Sequence, residues 1–154
     1  MDNDGHANEI LPRLWLGNRR AAEDDKWLID NNIKTIFNCT KQLPFSPVAK
    51  KIYRLPVDDN REAEEIKNMT IWGAEAVYKV IKEYKAGETI LIHCHAGMQR
   101  SAALMAMVLI ALLNTSANEA IRMIKTKRRV AFLYSINFEK SIRDFEFEFR
   151  SALK

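Results

Sequence analysis

The chain is predicted to be α/β: a single compact domain with a central, mostly parallel sheet of four to five strands flanked by helices. Three observations predict it. Residues 89–93 (TILIH) form a short apolar stretch of the kind buried on both faces of a parallel sheet. That stretch lies between a long segment with apolar side chains at helical spacing, residues 62–85, and a 12-residue apolar run, residues 102–113. No repeat, low-complexity tract or Pro/Gly/Ser-rich linker divides the 154 residues, so one core serves every element.

Taken in order, residues 1–9 (MDNDGHANE) are polar and acidic, unlike a signal or transit peptide, and are expected to be a flexible terminus ahead of a domain spanning 10–154. Residues 10–18 alternate and stop at Gly-Asn, predicting a short strand and turn. Ala22, Trp27 and Leu28 predict a helix over 21–32, closed by Asn-Asn. The β-branched and aromatic stretch 33–40 and residues 51–57 predict strands, separated by a proline loop at 43–47. An acidic turn, residues 58–60, follows. In 62–85 the stripe runs through Ile66, Met69, Trp72, Ala76, Tyr78, Val80, Ile81 and Tyr84, and Gly87 stops it. Ser116 and Glu119 form a capping box opening another helix, whose end, residues 125–129 (KTKRR), reads as solvated. In the tail, Phe145, Phe147 and Phe149 alternate like a strand. The longer pattern Phe138, Ile142, Phe145, Phe149 is helical and leaves Phe147 off the stripe.

Composition narrows the function classes. A net charge of +4 suits anionic partners without pointing to nucleic acid. Two cysteines, Cys39 and Cys94, fit a reducing compartment, the cytoplasm first and the nucleus second. The 12-residue apolar run falls short of the roughly 20 needed to span a bilayer, so a soluble protein with no membrane partner is expected and the run reads as a core helix.

The chemistry concentrates in residues 91–103 (LIHCHAGMQRSAA). A metal site is disfavoured: in a strand His93 and His95 face away from Cys94, and His6 and Cys39 offer no second ligand cluster. A buried core cysteine is the stronger rival, but it leaves Gly97, Arg100 and Ser101 unexplained. A phosphate cradle explains all three. Between the strand and the helix the backbone can curl into a nest of N–H groups, with Gly97 permitting the tight path. Cys94 at its base would then sit in positive potential and ionise readily. Arg100 would grip two phosphoryl oxygens, and Ser101 would hydrogen-bond the sulfur.

His93-Cys94, five residues, then Arg100-Ser101, with Gly97 inside, resembles the signature of the cysteine-dependent protein tyrosine phosphatases; Ala96-Gly97 and Ser101 resemble their dual-specificity branch. Residues 10–24, 34–40 and 124–138 are similar to the family's opening strand, second strand and closing segment. The resemblance implies hydrolysis of phosphotyrosine and phosphoserine or phosphothreonine in protein partners through a cysteinyl-phosphate, without metal or cofactor. It implies that Cys94 is the nucleophile and that His95, Ala96, Gly97, Met98, Gln99 and Arg100 form the phosphate-binding loop. It also implies an acid/base aspartate on a preceding loop. In residues 55–60 (LPVDDN) Asp59 fits that position by its offset from Pro56, with Asp58 as second candidate. His93 would shape the thiolate's surroundings, and Asn137 resembles an asparagine that braces the loops. Gln99 departs from the usual serine or threonine, and His95 from lysine, arginine or alanine. The same cradle would also serve a phosphoinositide or the 5′-triphosphate end of RNA, or a non-catalytic phospho-binding module.

Overall fold

The structure, a computed structural model, describes residues 5–153. Its five strands are β1 (Ala7–Leu11), β2 (Leu14–Gly17), β3 (Thr35–Asn38), β4 (Lys51–Arg54) and β5 (Ile90–His93). They form one sheet in the order β1-β2-β5-β3-β4, with β1 antiparallel to β2 and every other pair parallel. The expected fold class is therefore the observed one.

Two segments differ from expectation. The strand read at 10–18 is a hairpin, turned at Arg13, whose φ is +70 and whose N–H donates to the Glu9 carboxylate at 2.9 Å. Its first strand starts at Ala7, inside the segment expected to be flexible; residues 1–4 of that expectation lie outside the described residues. The helix read at 21–32 is two short ones, α1 (Arg19–Glu23) and α2 (Asp25–Asp30). Asp24 splits them: it closes α1, and its carboxylate accepts the Trp27 N–H at 3.0 Å to cap α2. Aspartate favours such caps over helix interiors because its side chain competes for backbone donors.

The longer helices are α3 (Ala63–Lys85), α4 (Arg100–Leu113), α5 (Ala117–Lys127) and α6 (Glu139–Ala152). The Ser116 hydroxyl accepts the Glu119 N–H at 3.0 Å, capping α5 as its sequence predicts. In β5, Ile90 and Ile92 point into a core shared with α3 to α6, whereas Leu91 packs with Ala21, Ala22 and Leu28 of the two short helices. That alternation makes a three-layer sandwich. The apolar run becomes α4, buried from Ser101 to Ile110, and no single described helix is long and apolar enough to cross a membrane. On α3, Met69, Ala76 and Val80 are buried as read, Val77 joins them, and Trp72 and Tyr78 lie outside the core. Phe147 is 70% exposed, as the helical reading of the tail requires.

Gly17, His93 and Asn38 are paired across β2, β5 and β3, so these strands end level with one another. Everything described next is built at that C-terminal edge, the usual place for a site in an open parallel sheet.

Candidate active site

Residues 94–99 join β5 to α4 and form the predicted cradle. Four consecutive carbonyls in it are captured from outside. His95 O accepts the Arg19 N–H at 3.0 Å, and Met98 O accepts the Phe132 N–H at 2.9 Å. Ala96 O and Gly97 O accept from Arg128, at 3.1 Å from Nη2 and 2.8 Å from Nε. In a trans peptide the following N–H points opposite to the carbonyl, so the amides are turned toward the cleft. The anion nest is held open by hydrogen bonds on its outer side.

Arg128 is a correction to the sequence reading. Lys125, Lys127 and Arg129 are exposed as expected of a solvated helix end, but Arg128 is 1% exposed. Besides the two loop carbonyls it donates to Gly5 O at 2.6 Å and Asn8 Oδ1 at 2.8 Å. The signal was present: Ile121, Ile124 and Arg128 fall on one helical stripe, and the two isoleucines are buried.

Cys94 lies at the floor of a cleft of 470 Å³ and is 2% exposed. Burial alone would raise its pKa and is the largest single influence on it. The Ser101 hydroxyl at 3.0 Å, the Arg100 guanidinium and the Ser101 and Gly97 N–H groups together outweigh burial, and the thiol sits below its ordinary value. Cys39 behaves oppositely: it is fully buried, and its thiol is pushed well above the usual range by burial and then by Cys94. His93 is also interior. Its Nδ1 lies 3.2 Å from the Cys94 carbonyl oxygen, its Nε2 has no hydrogen-bond partner among the described residues, and burial pushes its pKa down to about 4. The Cys94 carbonyl contact opposes that fall, and the nearby Arg54 and Arg100 charges add to it.

The loop 55–62 separates the two candidate acids. Asp59 lines the cleft and accepts from Asn137 Nδ2 at 2.9 Å. Asp58 turns away and pairs with Lys41 at 3.0 Å, which also binds the mostly buried Glu65 at 2.6 Å. Arg100 Nη1 donates to Val57 O at 3.0 Å, tying this loop to the cradle. Among the described residues the rest of the Arg100 fork has no hydrogen-bond partner, which leaves it available to an anion in the cleft.

Gln99, the departure from the usual residue, joins the cradle to the loop between α5 and α6. Its Nε2 donates to Ser135 O at 2.7 Å, and its Oε1 accepts the Asn137 N–H at 2.9 Å. Ser135 Oγ in turn donates to Asn137 Oδ1 at 2.6 Å and accepts from Arg61 at 3.3 Å. His95 and Ala96 are exposed on the cleft wall, and Met98 is half-buried there. The structure thus brings Cys94, Arg100, Ser101, Asp59 and Asn137 together and leaves Asp58 outside. Lys41 and Ser135 carry no motif of their own and escaped the sequence reading.

Residues 14–148 match the family described as dual specificity phosphatase, catalytic domain, and the chain belongs to that family. It is 30% identical over 129 residues to mouse dual specificity protein phosphatase 2, covering 83% of this chain and 39% of that protein. It therefore spans about two fifths of that relative's length. A solved mouse putative dual specificity phosphatase, complexed with zinc tungstate, has the same fold: TM-score 0.85, 22% identity, 99% of this chain and 94% of that one covered. PTPMT1 in complex with PI(5)P gives a TM-score of 0.77 at 19% identity, over 96% of this chain and 97% of that one.

Proposed function

We propose that this domain is a cysteine-dependent phosphatase that hydrolyses phosphotyrosine and phosphoserine or phosphothreonine in proteins, working in a reducing compartment such as the cytoplasm. The observation that carries this reading is the lowered thiol of Cys94 beneath a nest whose four carbonyls are all held outward. Such amides stabilise charge that develops on three equatorial phosphoryl oxygens, and the Arg100 fork adds two donors to them.

The chemistry runs in two steps. The Cys94 thiolate attacks phosphorus, the P–O bond to the leaving group breaks, and protonated Asp59 gives that oxygen its proton. Water then attacks the cysteinyl-phosphate, Asp59 takes the water's proton, and the S–P bond breaks. Ser101, 3.0 Å from the sulfur, stabilises the departing thiolate. The name of the mouse relative supports phosphoproteins as substrates.

Cys94→Ser should reduce turnover of para-nitrophenyl phosphate to background, while EDTA leaves the wild-type rate unchanged. Ordinary activity in the serine variant defeats the proposal. Asp59→Asn should slow phosphotyrosine hydrolysis by about 10²-fold or more, in the range of general-acid catalysis, and slow the activated aryl phosphate far less. A phosphoinositide substrate has the PI(5)P-bound neighbour in its favour. Against it, the loop offers His95, Ala96, Met98 and Gln99 with no lysine for a second phosphate. Faster turnover of a phosphoinositide than of any phosphopeptide would reverse the order of the two. Intact Cys94 and Arg100 argue against a non-catalytic module.

A further inference from the structure

We propose that Tyr134 is the specificity residue of this cleft, stacking on the aryl ring of the substrate so that phosphotyrosine is favoured over phosphothreonine. This rests on the protein-phosphatase reading above and deepens it.

Tyr134 lines the cleft that has Cys94 at its floor, yet it is 95% exposed. A large aromatic so uncovered contributes nothing to the core, and its ring stands at the mouth. Its backbone is held there against preference. Tyr134 has φ +70 and Phe132 has φ +57, two left-handed residues without glycine's freedom within three positions. The segment keeps that shape because it is fastened on both sides of Tyr134. The Phe132 N–H is bonded to Met98 O at 2.9 Å and the Phe132 ring is buried; Ser135 O is bonded to Gln99 Nε2 at 2.7 Å.

Both fastenings end on the cradle itself. The position of the Tyr134 backbone is therefore set relative to the bound phosphoryl group, not relative to a distant part of the fold. Such a residue meets whatever projects from the phosphate out of the cleft. In phosphotyrosine that is an aromatic ring, and Leu133 and Met98 add apolar wall beside it. In phosphothreonine it is a short alkyl stem with no π face. Aromatic pairing beyond simple area burial corresponds to about two- to tenfold in affinity.

The test uses the full chain and two peptides of identical sequence, one with phosphotyrosine and one with phosphothreonine. In Tyr134→Ala the ratio of kcat/KM for the two peptides should fall about two- to tenfold, through a higher KM for the phosphotyrosine peptide. In Tyr134→Phe, which keeps the ring, the ratio should hold. A loop merely loosened by the substitution would affect both peptides alike and leave the ratio where it was. An unchanged ratio in Tyr134→Ala, with both peptides turned over, overturns the role of Tyr134 alone. Wild-type protein that hydrolyses para-nitrophenyl phosphate but neither peptide overturns the protein-substrate reading, and this inference with it.

Discussion

At Gly97 the backbone is left-handed, with φ +67, and a Cβ there would lie 2.5 Å from the Gly17 carbonyl oxygen and 2.8 Å from Arg128 Nη2. Conformation and space forbid a side chain together. Gly97→Ala must push the loop off Gly17 and away from Arg128, tilting the amides that face the cleft. Its kcat/KM on para-nitrophenyl phosphate should drop by about 10²-fold or more, the scale seen when oxyanion donors are lost. A second residue-level outcome concerns Ser101. Its hydroxyl is the strongest of the groups that offset burial at Cys94, so Ser101→Ala should raise the thiol pKa. The thiolate fraction at a given pH then falls, and the pH profile of iodoacetate alkylation shifts to higher pH; an unmoved profile would show that Arg100 and the amides suffice. The strand, cysteine, arginine and serine were legible because their offsets are local. Gln99 was visible only as a departure: what it grips lies 36 and 38 residues away.

Among the elements, those built on local periodicity were legible and those decided by single caps or turns were not. The pattern of α6 distinguished helix from strand through Phe138, Ile142 and Phe145, all buried. The break between α1 and α2 turns on one carboxylate, and the β1–β2 turn on one left-handed arginine. Neither interrupts the apolar pattern. The end of α5 failed differently, since a run of cations hid one side chain that points inward. Arg128→Met should leave the Ala96 and Gly97 carbonyls unpaired, at a cost of about 3 kcal/mol for one buried and one part-buried acceptor. The melting temperature should fall by about 6–12 °C, and an unchanged one would mean that water replaces the guanidinium. The acid loop is likewise set from two sides, through Asp58 to Lys41 and through Asp59 to Asn137. The Lys41–Asp58 pair is more than one third exposed on both partners and so weak. Asp58→Asn should therefore slow phosphotyrosine hydrolysis by no more than about fivefold, against the far larger loss in Asp59→Asn; comparable losses would transfer the acid role to Asp58.

For the molecule as a whole, the arrangement concentrates loops from five places at one sheet edge, and it does so around an interior histidine. His93 ends the central strand, is 1% exposed and titrates at about 4 instead of 6.5. Unfolded chain takes up a proton near pH 6.5, while the folded protein declines it until about pH 4, so the unfolded state binds more protons throughout that interval. Stability from this residue is complete above pH 6.5 and is lost as pH falls toward 4. The difference of about 2.5 units corresponds to roughly 3 kcal/mol in full, and to about 2 kcal/mol already at pH 5. Urea unfolding at pH 7 and pH 5 should show wild-type protein losing about 2 kcal/mol more than His93→Asn over that step. Protonation of Cys94 and the carboxylates occurs in both proteins and cancels in the comparison. Equal losses would mean that the imidazole finds a partner for its proton inside the fold, and that the strand end beneath the thiolate carries charge.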